Sequence, residues 1–411
     1  MRTYRELFRT PEFLPFFTTV SVQVAAQTAA GLALGTLVYA ATGSPLLSAL
    51  AMFGPSLAQV AGALTLLSAA DRLPPRATLT GLAVLFALGT GVQAVPGLPL
   101  WAAFAVLLGL GVASSLGGGV RYGLLNEILP QRGFLLGRSV LNMAVGTMQI
   151  LGFAVGGVLV TALSARGTLL VGAALYVVAA ALARFGLTAR PPRASGRASV
   201  RETWRTNALL WSSAPRRSVY LALWVPNGLV VGCESLYIAY APAHAGLLFA
   251  CGALGMLTGD ALVGRFVPGR WRARLGAPLR LLLAAPYLVF ALNPGLPVAV
   301  VAVVLASVGF SASLLLQERL MALTPEELSG HALGLSSSGM LAMQGVGAAV
   351  AGSVAQLTSP GTGMAAVAAL SLAVTVALAP GLRAGRGREA EGRLQGEGSP
   401  RTTETKETTT S

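Results

Sequence analysis

From Phe13 to Ala70 the chain carries no Asp, Glu, Lys or Arg, and from Ala77 to Val120 it again carries none. A helix crosses roughly 30 Å of hydrocarbon in about 20 residues, so each interval is too long for one crossing and suits two. Each also contains its own break. Ser44 followed by Pro45 reads as an N-cap and a proline in the first helical turn, and Pro96 and Pro99 interrupt the second interval. A soluble chain needs about 25% charged residues to coat its surface. Here 11% are charged and 54% hydrophobic, which leaves no soluble surface to build. The fold class that follows is an all-α membrane protein.

Further spans are predicted near 139–163, 167–187, 217–240, 244–264, 276–293, 297–318, 330–356 and 362–382, making twelve. The distribution of cations tests this layout independently. Alternate connections fall near 41–45, 94–98, 164–167, 241–244, 293–297 and 357–362, and of 29 Lys and Arg residues only Arg166 lies in one of them. These connections are therefore assigned to the outside, and both termini to the cytoplasmic face of a cell inner (plasma) membrane. No short apolar core with a small-residue cleavage site follows the basic N-terminus, so no cleavable leader is expected. The divisions are a six-helix bundle at 1–187, a cytoplasmic linker at 188–216, a second six-helix bundle at 217–383 and a disordered tail at 384–411. Within the linker, Ser199 and Glu202 have capping-box spacing, and Val200, Trp204, Ala208 and Trp211 follow at helical intervals. That pattern predicts a short amphipathic helix on the membrane surface.

Several classes of function are excluded. The net charge of +14 punctuates apolar runs instead of forming a basic stripe with aromatics, so no nucleic acid is expected. The only lysine, Lys406, lies in the tail and no GxxxxGK[ST] loop exists, which removes ATP-driven transport by this chain. HExxH and GxSxG are absent, so no enzyme is read. His244 and His331 are far apart without a Cys at ligand spacing, and Cys233 and Cys251 sit inside apolar runs as reduced thiols. No metal and no cofactor are expected.

The halves resemble each other. Leu124-Leu125-Asn126-Glu127 returns as Leu315-Leu316-Gln317-Glu318, Asp71 matches Asp260, and Arg138 matches His331 at nearly the same offset. Internal repeats of six helices are typical of secondary transporters, whose site lies between the halves at mid-membrane. Glu234 is the one carboxylate well inside a predicted span. A charge in hydrocarbon costs about 2.5 kcal/mol or more, so such a group faces a cavity and acts there, on a proton or a charged substrate. Alternatively it is a hydrogen-bonded packing residue. Tyr220 and Asn227 precede Glu234 by fourteen and seven residues, which predicts one polar stripe facing the cavity. Gln23 with Gln27, and Asn142 with Gln149, line the same cavity or bond between helices. Glu127 and Glu318 end their spans at the inner surface and are assigned to salt bridges with Arg121, Arg138 or Arg319.

With these features in place, the chain resembles the major facilitator superfamily, in its bacterial drug-exporter and siderophore-exporter-like branches, over roughly residues 10–382. The marker is AADRLPPR at 69–76, similar to the family's G-x-L-A-D-R-x-G-R-R/K loop: Asp71, Arg72 and Arg76 match, while Leu67 and Pro74 replace the glycines. Gly259-Asp260 and Gly264-Arg265 resemble its degenerate second copy. The resemblance implies an inner charge cluster that latches helices during the conformational switch. LGFAVGG at 151–157 is similar to the antiporter motif G-P-x-x-G-G, with Gly152, Gly156 and Gly157 in place and Phe153 at the proline position. The family's R-x-x-Q-G motif is not matched: Ala105 stands where its coupling Arg would be. What the resemblance implies is a monomeric secondary transporter working by alternating access, exporting a hydrophobic or amphiphilic small molecule in exchange for protons. Uptake or uniport of a metabolite, and a non-transporting membrane sensor, remain as alternatives.

Overall fold

The computed structural model describes residues 4–70, 73–129, 131–192, 200–325 and 328–397. Its regular elements are helices. Span 1 is Phe13–Thr42, span 2 Pro45–Ala70, span 3 Pro75–Gln93 and span 4 Leu100–Ile128. A helical stretch with an internal kink, Gln131–Gly186, follows. Span 7 is Ala214–Ser235 with the turn Tyr237–Tyr240, span 8 Ala245–Phe266, span 9 Gly269–Leu282 with the 3-10 turns Ala285–Leu292. Span 10 is Leu296–Gly309 with Ala312–Ala322, span 11 Ser329–Leu357 and span 12 Pro360–Glu397.

Eleven of the described segments are long and apolar enough to cross a membrane. One of them, Leu136–Gly186, has 51 residues. Such a helix would be about 75 Å long at 1.5 Å per residue, more than twice the hydrocarbon thickness. Ser164, at φ 74 and ψ 165, breaks it. Spans 5 and 6 are therefore 131–163 and 165–186, and the total is twelve. Tight turns at one end of the bundle have a clear local cause. Span 1 ends where Gly43, at φ 64, donates its N–H to the Tyr39 carbonyl at 2.8 Å, a conformation that costs glycine nothing. Pro45 then opens span 2 with a φ already helical. The connections after spans 1, 3, 5, 7, 9 and 11 lie at this end, called distal below; the central segment lies at the opposite, terminal end.

Each half has its own apolar core. Phe13, Phe16, Leu124 and Leu125 centre one in the first half, and Val230, Tyr237, Tyr287 and Phe290 centre one in the second. The halves meet along two seams, span 2 on span 11 and span 5 on span 8. Both seams rely on glycine: a Cβ on Gly352 would meet Leu46 Cα at 2.7 Å, and one on Gly157 would meet Gly246 Cα at 2.9 Å. Polar contacts add to the distal closure, with Ser44 Oγ donating to Gln356 Oε1 at 2.7 Å across the halves.

Two features differ from the sequence expectation. Spans 9 and 10 are broken where continuous helices are predicted. A Cβ on Gly309, at the end of the first part of span 10, would meet Leu283 Cα at 2.5 Å, so the two breaks touch. Pro286, just beyond Leu283, cannot donate an N–H to an α-helical ladder. The tail expected to be disordered from 384 is helical as far as Glu397. Gly385, Gly387, Gly392 and Gly396 disfavour helix there, and what favours it is that extending an existing helix avoids the cost of nucleating one. Residues 398–411 lie outside the described residues, as does Ser199 of the capping box. The amphipathic helix itself is present at Val200–Ser212, with Leu210 buried and the Trp211 ring stacked 5.4 Å from Trp224 of span 7.

Candidate functional site

Between the halves lies a cavity of about 660 Å³. Span 1 contributes Gln27, span 4 Arg121, span 5 Asn142 and Gln149, span 7 Glu234 and Tyr237, and span 11 Gln344. The remaining wall is chiefly apolar, including Val24, Met52, Met256 and Met340. A mostly apolar hollow with a few converging polar groups is the usual form of a small-molecule site. Rings close its distal end. Phe153 stacks on Phe249 at 4.8 Å between centroids, joining the halves, and Tyr237 meets the same Phe249 edge-on at 4.9 Å. Phe153, which replaces a proline in the glycine motif, thus serves as half of this ceiling.

Glu234 is 7% exposed, and its Oε1 is buried without a hydrogen-bond partner. It ends the long part of span 7 one turn before Tyr237, whose hydroxyl shares a short hydrogen bond with that of Tyr287. The carboxyl therefore lies beside a phenol pair under the ceiling. The stripe predicted to run down from it does not form. Tyr220 is fully buried, donating to the Ala332 carbonyl at 3.4 Å and packed against Trp211 and Trp224. Asn227 donates to the Leu223 carbonyl at 2.6 Å and to Ser313 Oγ at 3.0 Å. Two causes combine: positions seven apart drift by about 20° per repeat on a straight helix, and Pro226 lies inside this one. Both residues join helices instead of lining the cavity.

Gln27, Asn142 and Gln149 reach the cavity, whereas Gln23 is buried and accepts from Arg121 Nη2 at 2.9 Å. Arg121 is the residue the sequence reading misplaced. The sequence predicts an inner-surface ion pair for it, yet its guanidinium turns into the bundle. The available signal was its position, seven residues before the end of span 4 and so within the membrane. Glu127 instead pairs with Arg190 at 3.5 Å, and Arg190 also reaches Glu12 at 2.9 Å. This fastens the end of span 6 to the start of span 1 and the end of span 4. Arg138 lies 5.3 Å over the Tyr122 ring.

Of the other latch candidates, Asp71 and Arg72 lie outside the described residues. Arg76 Nη1 donates to the Leu187 carbonyl at 3.4 Å, tying span 3 to the end of span 6. Asp260, Arg265 and Glu318 are exposed near the terminal ends of spans 8 and 10. The glycine motif is spent on close packing. A Cβ on Gly152 would strike Thr28 of span 1, and one on Gly156 would meet Ala29 Cα at 3.0 Å. Gly157 faces Gly246 across the seam between the halves. Cys233 is buried and Cys251 half-buried, both as free thiols. Among the described residues, no three His, Cys, Asp or Glu side chains come together as a metal site would require.

The family model of the Major Facilitator Superfamily matches residues 16–317. No curated protein matches the sequence significantly. Among solved structures, a mutant form of the nucleoside transporter NupG is similar with a TM-score of 0.70 at 14% identity, over 90% of this chain and 99% of that one. A POT family transporter in complex with a thioalcohol-conjugated peptide follows at 0.69 and 11%, covering 89% and 95%. A bacterial homologue of the human lysosomal transporter Spinster, inward-facing and unoccupied, gives 0.67 and 14%, covering 93% of each chain.

Proposed function

Since the chain belongs to the Major Facilitator Superfamily, and is on that ground a multi-pass membrane transporter and not an enzyme, we propose that it is a proton-coupled exporter of hydrophobic or amphiphilic small molecules. It takes its place in the drug- and siderophore-exporter-like branch and works by alternating access. The terminal end faces the cytoplasm of a cell whose inner membrane it spans, both termini are inside, and the monomer is the working unit. The observation that carries this reading is Glu234: a carboxyl without a partner for Oε1, on the wall of the cavity between two rocking halves.

A charged carboxyl is costly in a closed apolar site, whereas its protonated form is not. Protonation from one side and release to the other therefore links proton movement to the change of facing. Ala105 removes the cation that the family uses in span 4, which leaves Glu234 as the coupling group. The glycine seam of spans 5 and 8 supports export, because it seals the distal end against leakage while cargo loads from the terminal end. Asp71, Arg72 and Arg76 serve as the inner latch, with Asp260, Arg265, Glu127, Arg138 and Glu318 flanking it.

Two measurements test this. Reporter fusions at Gly43, Gly97, Gly295 and Gly361 read external, and fusions after Arg197 and Arg386 read internal; an external signal from the central segment overturns the orientation. In proteoliposomes with an imposed pH gradient, a panel of lipophilic fluorescent amphiphiles contains members that accumulate against their own gradient. Equilibration without accumulation indicates a uniporter, and dye movement at the leak rate indicates a sensor. Either result defeats the proposal.

A further inference from the structure

Arg121 places a second unlike charge in the same cavity. Of the five N–H donors on its guanidinium, the one hydrogen bond formed among the described residues is from Nη2 to Gln23 Oε1, at 2.9 Å. Its Nε is buried with no acceptor, and no carboxylate pairs with it among the described residues. Its titratable neighbours are the rings of Tyr122 and Tyr176. A guanidinium held inside the membrane span without a counter-anion is a costly arrangement, and such groups mark ligand or ion pathways.

The surroundings say what the ligand looks like. A second cavity, of about 160 Å³, lies inside the first half. Arg121, Gln27, Met52 and Gln59 line both hollows, so the guanidinium stands at their junction. The wall of the smaller chamber mixes apolar side chains, among them Leu79, Leu82, Phe86 and Leu107, with the polar Thr90, Gln93 and Ser114. We propose that Arg121 is the anion-recognition site of this protein, and that the cargo is an amphiphile with one carboxylate or phosphate at Arg121 and an apolar tail in the chamber of the first half. The planar fork suits two oxygens of such a group better than any neutral acceptor. This substrate class rests on the transporter reading above, within which Glu234 handles the proton and Arg121 the cargo.

The test uses the purified full chain in phosphatidylcholine nanodiscs, with 4-phenylbutyrate, 4-phenylbutylamine and 4-phenylbutanol as matched probes. 4-Phenylbutyrate is expected to bind about tenfold or more tighter than the amine or the alcohol, the difference a charge-assisted contact makes. Arg121→Gln should remove that preference, Arg121→Lys should keep part of it, and Arg166→Gln, at the distal surface, should leave it intact. If Arg121→Gln fails to fold, the three-probe comparison on the wild type and the Lys variant still decide. Adding phosphatidylglycerol to the discs, at an ionic strength high enough to screen the surface charge, separates two sources of the anion: a weakened 4-phenylbutyrate response identifies a lipid headgroup, an unchanged one a free amphiphile. Equal binding of acid and amine, or full 4-phenylbutyrate preference in a folded Arg121→Gln protein, overturns the proposal. No gradient enters this readout, so its failure and a failure of proton coupling are seen separately.

Discussion

Glu234→Gln is expected to abolish gradient-driven accumulation while leaving passive exchange of cargo intact. A gradient of two pH units stores about 2.7 kcal/mol per proton, enough to hold a cargo at about a 100-fold ratio in one-for-one exchange. The glutamine keeps the size of the side chain and a neutral polar group, so the cavity, its ceiling and the seams stay as they are. What it removes is the ability to take up and give back a proton. The ratio should fall from about 100 to about 1, while equilibration of a labelled cargo across both faces continues. A variant that still concentrates cargo shows that Glu234 is not the coupling site.

Gly157→Leu is expected to favour the conformation open at the distal end. At that point the backbones of spans 5 and 8 approach so closely that even a Cβ on residue 157 would stand 2.9 Å from Gly246 Cα. Three more carbons cannot be housed by rotating a side chain, because the obstacle is backbone. Overpacking of this kind costs about 1–3 kcal/mol, which moves a two-state equilibrium by roughly 5- to 150-fold. The distal-closed state carries that cost and the distal-open state does not. Spin labels across the distal end, in a background lacking Cys233 and Cys251, should report a longer distance than in the parent. Gly157→Ala should give a smaller change in the same direction. A distal distance unaltered in Gly157→Leu would mean that this seam does not gate.

Much of this was legible in the residues, for identifiable reasons. Charge-free runs and prolines mark crossings because hydrocarbon penalises charge everywhere, so the twelve spans emerge from local composition. The Gly-rich motif was legible as packing because glycine at short intervals inside an apolar helix has few other uses. Side-chain direction was less accessible. Tyr220, Asn227 and Glu234 share a spacing, but Pro226 and helical drift divide them between a packing face and the cavity. Arg121 was missed because an Arg near a helix end reads as a surface cation, and which way it turns depends on Gln23, nearly a hundred residues away. The Glu12–Arg190–Glu127 cluster also depends on contacts between remote segments. The breaks in spans 9 and 10 come from the contact of Gly309 with Leu283, which no single segment contains.

Alternating access is tested most directly by two distances followed together. One pair of labels spans the distal end, at Gly43 and Thr358, where Ser44 and Gln356 now touch across the halves. The other spans the terminal end, at Leu73 and Pro325. On acidification, or on addition of a transported amphiphile, the two distances should change in opposite senses, the distal pair lengthening as the terminal pair shortens. Two distances that stay fixed, or that lengthen together, would contradict a cavity opened to one side at a time.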